Sequence, residues 1–151
     1  MHRSRAARTL AILTLGVALA DGLAAKAPTT RLVISGQTLA RPLETSEPKT
    51  LANVWAGRFI GEPSTEPDSR LPRYRITFYV VPPREQERPM YVVTFARDPE
   101  SGQAYVYLPG RGEDGYRMNV RTMLREGQDG RWHHAGSEWS DAIARILARP
   151  N

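Results

Sequence analysis

The chain has 151 residues with 21 Lys plus Arg against 16 Asp plus Glu, a formal net charge of +5, and no cysteine. The missing thiols exclude disulfides, thiolate metal sites and the lipid-modified cysteine of a bacterial lipoprotein. The charge misleads, because three of the arginines fall within the first twenty residues.

Those residues read as an export signal. His2, Arg3, Arg5 and Arg8 form a basic start, Leu10 to Ala20 is an eleven-residue apolar stretch, and small residues follow at Ala18, Ala20, Ala24 and Ala25. The stretch is short of the roughly 20 apolar residues that a membrane span needs. Cleavage after Ala20 or after Ala25 is expected, so that the mature protein is free in a periplasmic or secreted space, with no membrane anchor. Cutting after Ala20 leaves 18 basic and 16 acidic side chains, a net +2; cutting after Ala25 also removes Asp21 and gives +3. Such a balance does not match the basic stripe of a nucleic-acid binder, so no nucleic-acid partner is expected. Arginine outnumbers lysine 19 to 2, but the arginines are scattered along the chain.

After a leader over residues 26–30, expected to be disordered, a single domain is expected from 31 to 149. Arg31 to Ser35 is a short strand by its Leu-Val-Ile core, and Pro42 to Thr45 is its candidate return partner. Ser46, Glu47 and Pro48 signal a helix start, with Leu51, Val54 and Trp55 on one side and Gly57 as the stop. Phe59 and Ile60 then enter the core, and Glu62 to Pro72, with three prolines, reads as a surface loop.

The centre of the chain is a three-stranded meander. In Arg73 to Val80, Tyr74, Ile76, Phe78 and Val80 alternate with Arg73, Arg75, Thr77 and Tyr79, so one face is buried. Met90 to Arg97 is apolar on both faces apart from Thr94, which calls for cover on both sides. In Gln103 to Leu108, Ala104, Val106 and Leu108 alternate with Gln103, Tyr105 and Tyr107. Asp98-Pro99-Glu100-Ser101-Gly102 supplies a tight hairpin turn, and Pro82 to Pro89 an exposed loop.

Gly110 to Gly115 is a charged, glycine-rich turn that lacks the remaining signature of a phosphate-binding loop. A short helix is predicted over Val120 to Glu126 with Asn119 as its cap, followed by an extended Arg131 to Ala135 with Trp132 in the core. The last helix starts at a Ser137 cap, lines Trp139, Ala142, Ile143, Ile146 and Leu147 along one side, and ends near Pro150. The expected fold is α+β: an antiparallel meander sheet of three to five strands packed against a C-terminal amphipathic helix, with one or two short extra helices.

Candidates for chemistry are few. The mature chain owns two histidines, His133 and His134, whose side chains point to opposite faces of an extended segment and so cannot easily grip one metal ion. No cofactor or metal is expected. Either imidazole, with a carboxylate from Glu113 or Asp114, is the candidate set for a small hydrolase-like enzyme. Tyr79, Tyr105 and Tyr107 share the strand faces opposite the apolar set and are candidates for a platform that meets a saccharide or protein partner.

At Val33-Ile34-Ser35-Gly36, Asn53-Val54-Trp55-Ala56-Gly57, Tyr105-Val106-Tyr107-Leu108-Pro109-Gly110 and Asp129-Gly130-Arg131-Trp132-His133, the chain resembles a group of small exported bacterial proteins of unknown function. The resemblance runs from about Arg31 to Leu147 and implies no activity, ligand or catalytic residue. The leading expectation is therefore a small exported non-catalytic binding or interaction module, and the alternative is the small extracytoplasmic enzyme.

Overall fold

A computed structural model describes residues 28–47, 51, 60–120 and 128–149. The export signal expected within residues 1–25, most of the helix predicted from Ser46 to Gly57 and nearly all of the one from Val120 to Glu126 lie outside these residues.

The described chain is built on one antiparallel sheet of seven strands, more than the three to five expected. They are β1 (Thr29–Gly36), β2 (Leu43–Thr45), β3 (Ile60–Ser64), β4 (Arg73–Val80), β5 (Arg88–Arg97), β6 (Ala104–Leu108) and β7 (Arg131–Ala135), in the spatial order β2-β1-β4-β5-β6-β7-β3. The meander β4-β5-β6 forms as its alternation predicts, with Ile76 opposite Val93 and Phe95 opposite Val106. The turn between β5 and β6 closes with Gly102 at φ 72° and Asp98 N–H donating to Gln103 O.

On the other side of β4, β1 joins the sheet and β2 folds back onto it, so the pairing of Arg31–Ser35 with Pro42–Thr45 and the meander is realised. The strand count rises at the opposite end. There β7 pairs with β6, placing Val106 opposite His133 and Tyr107 opposite Trp132. Ile60 to Ser64, part of which was expected to be loop, adds a last strand through Ile60–Ala135 and Ser64–Trp132 pairs. Its sequence hides this because the strand sits at the rim: Gly61, Glu62 and Pro63 are exposed and the register shifts between Ile60 and Pro63, so no alternation develops.

One face of the sheet is roofed by a helix over Ser137–Leu147. Trp139, Ala142, Ile143 and Ile146 meet Leu32, Ile34, Ile76, Phe78, Phe95 and Val106, all of them buried, and Leu51 completes the cluster. Two aromatic contacts organise it, Phe78 stacked on Tyr91 at 4.1 Å and Phe95 edge-on to Trp139 at 5.4 Å. Gly136, not Ser137, occupies the N-cap position, with no side-chain cap; Ser137 is already helical, and its carbonyl accepts from Ser140 Oγ.

The opposite face is dressed by loops. A short helix, α1, runs over Tyr116–Val120, and the roofing helix is α2. Asn119, expected as a cap, does something else: its Oδ1 accepts from Val92 N–H at 2.7 Å and its Nδ2 donates to Val92 O at 2.6 Å. The reason lies in strand lengths. β6 pairs only with Thr94 to Arg97 of β5, so the β5 backbone before it lacks a β6 neighbour, and the fully buried Asn119 amide takes the place of one at Val92. Gly115, at φ 88°, lies so close to Val92 that a Cβ there would stand 2.1 Å from its Cγ1. This is the second cover that the doubly apolar β5 demands.

Candidate functional site

The face turned away from α2 carries two rows of paired residues. One runs Arg75, Thr94, Tyr107, Trp132, Ser64; the next runs Arg73, Ala96, Tyr105, His134. Registers fix both rows, because residues paired across antiparallel strands point to the same side. Tyr105 lies 5.6 Å from the His134 ring and Tyr107 lies 5.3 Å from Trp132, giving a four-ring aromatic floor.

Two arginines of β4 bind the flanking loops to this floor. The Arg73 guanidinium sits 4.6 Å above the Trp132 ring, donates to Pro67 O at 3.2 Å and pairs with Glu66 at 3.1 Å. Arg75 pairs with Asp114 of the glycine-rich turn at 2.8 Å. On the neighbouring strand, Tyr107 O–H reaches both oxygens of Glu113 at 2.8 and 2.9 Å, and Gly110 N–H donates to the same carboxylate. Burial, then the Glu113 carboxylate, pushes the Tyr107 hydroxyl up to about 12.

Of the residues singled out from sequence, Tyr105, Tyr107 and His134 come together. Tyr79 shares the face but not the floor. It stands four residues along β4 from Arg75, roughly 13 Å of strand, and is covered by the Arg31 guanidinium 3.9 Å from its ring centre. Arg31 is in turn held by Glu87 at 2.9 Å and Glu44 at 3.2 Å.

His133 points to the other face, as adjacent residues of a strand must. It is 2% exposed, with Nδ1 3.3 Å from Gly61 O and Nε2 3.0 Å from Gln128 O, so its ring ties β3 to the turn before β7. Gln103 Nε2 stands 3.0 Å from His134 Nδ1, which fixes the ring on its strand. Among the described residues, Glu113 binds Tyr107 and Gly110, Asp114 binds Arg75, and neither carboxylate meets an imidazole. No group of three or more His, Cys, Asp or Glu with metal-holding geometry occurs among the described residues.

Three members of the floor and its walls are not singled out by sequence reasoning. Arg73 and Arg75 belong to the polar side of β4, whose alternation marks that face but not what it carries. Trp132 is placed in the core by its size. It is indeed buried, 8% exposed, but on the outer face under Arg73. Comparison with protein families, with curated proteins and with solved structures finds no match.

Proposed function

We propose that the protein is a small exported, non-catalytic binding module that holds a saccharide or protein partner on the aromatic floor of Tyr105, Tyr107 and His134. The export half of this reading rests on the basic, apolar and small-residue order of residues 1–25, and agrees with the resemblance to small exported bacterial proteins.

One observation carries the binding half. Tyr105 and His134 remain half-exposed in one of the two rows of a floor whose flanking arginines are already paired, Arg73 with Glu66 and Arg75 with Asp114. A ring pair tilted by 39°, with paired charges beside it, offers an apolar surface with polar edges, the combination that sugar rings and protein hot spots meet well. The hydrolase alternative lacks a comparable observation, since it needs an acid beside an imidazole.

The test is a Tyr105→Ala/His134→Ala variant, checked for an unchanged thermal midpoint and titrated by NMR with soluble cell-envelope oligosaccharides and with proteins recovered from the exported fraction. Resonances of β6 and β7 should shift on binding in the parent protein and stay fixed in the variant. Equal affinity in both proteins, or a turnover that His134→Ala alone abolishes, would overturn the reading.

A further inference from the structure

Residues 111–118 line an open concavity of about 650 Å³. Its charged lining is Arg111, Glu113, Asp114 and Arg117. Both carboxylates are engaged elsewhere, Glu113 by Tyr107 and Gly110 and Asp114 by Arg75. The two guanidiniums are not: Arg111 and Arg117 are exposed and have no hydrogen-bond or ion-pair partner among the described residues. What the concavity offers an anion is therefore two unpaired planar donor forks beside two carboxylates whose oxygens are already engaged.

The segment that carries them is held rigidly. Gly115 lies against Val92, the Asn119 amide grips Val92 N–H and C=O, Asp114 is tied to β4 and Glu113 to β6. An incoming anion thus meets arginines on an ordered main chain and has little loop to immobilise. The half-buried Tyr116 adds a ring to the lining. The volume falls in the usual range for small-molecule sites, about 300 to 1,000 Å³, well beyond what a bare inorganic oxyanion fills.

We infer that this concavity binds a small organic oxyanion, a carboxylated or phosphorylated molecule of the size of a few sugar rings, through Arg111 and Arg117. Guanidinium forks match carboxylate and phosphate oxygens two at a time, which gives both the affinity and the orientation. The concavity adjoins the aromatic floor through Glu113 and Asp114, but neither Tyr105 nor His134 lines it.

Calorimetric titration at low salt with trigalacturonate, glucose 1,6-bisphosphate and neutral maltotriose separates the acidic-sugar and phosphate sources. At least one anion should saturate, maltotriose should not, and added salt should weaken the binding. Arg111→Gln/Arg117→Gln should reduce affinity at least about ten-fold, the effect of losing a charge-assisted hydrogen bond, while Arg145→Gln on α2 and Tyr105→Ala/His134→Ala should leave it unchanged. Neither arginine holds the fold together, so the double variant should melt with the parent. No saturation by either anion, equal binding of maltotriose, or full affinity in the double variant would each sink the proposal.

Discussion

Asn119 shows what one side chain can decide. Its amide supplies one donor and one acceptor to a single residue of β5 in a site that water does not reach. Asn119→Ala strands both groups of Val92, each at about 1–3 kcal/mol when buried without a partner; a loss of roughly 2–4 kcal/mol is expected, read from the urea midpoint at constant slope. Tyr107 makes a different prediction. Its pKa lies near 12 in the folded protein, above the usual value of about 10 for an unfolded chain. Folding therefore favours the protonated phenol. The associated stability is complete below pH 10 and is lost as the pH climbs through 12. Thermal midpoints between pH 9 and 12 should fall more steeply for the parent than for Tyr107→Phe, which has no proton to release.

Among the elements, legibility in the sequence follows burial. β4 and β6 are read from alternation because each buries most or all of one side, β5 from being apolar on both, and α2 is read from the spacing of Trp139, Ile143 and Ile146 because it has one face to hide. β3 escapes because three of its five residues face solvent and its core contact is Ile60 at the start. The role of Asn119 escapes for another reason, since its partner lies 27 positions back and no local pattern encodes that distance. The floor is legible by half: the period of two gives Tyr105 and Tyr107 a common side, but only the register with β7 adds Trp132 and His134. The loop after β4 shows a local misfit. Arg84 stands at φ 64°, a left-handed conformation that costs an L-residue roughly 1–2 kcal/mol. Arg84→Gly should therefore stabilise the protein by up to about 1 kcal/mol, after the greater freedom of glycine in the unfolded chain is subtracted. A higher midpoint in thermal unfolding is the sign to look for.

At the scale of the molecule, one helix and one sheet share a single core, so large side chains between them should matter more than any surface pair. Phe78 is 0% and Trp139 1% exposed. Phe78→Ala and Trp139→Ala should each cost about 3–5 kcal/mol, measured by denaturant unfolding; unchanged midpoints would mean that this interface does not support the fold. Both rims of the sheet resist growth by further strands, one because β2 is only three residues long beside the exposed Glu44, the other because β3 exposes Glu62 and Pro63.

The contact between Gly61 and His133 spans 72 positions of sequence. While the polypeptide is being made, Ile60–Ser64 is synthesised early and has nothing to dock on until Arg131–Ala135 arrives, whereas β4, β5 and β6 can zip together as they emerge. Maturation of this protein thus waits on residues 131–149: a shortened translation product ending before Arg131 would lack both β7 and the roofing α2, leaving the flank of β6 and the inner face of the sheet bare, and quality-control proteases would find it there.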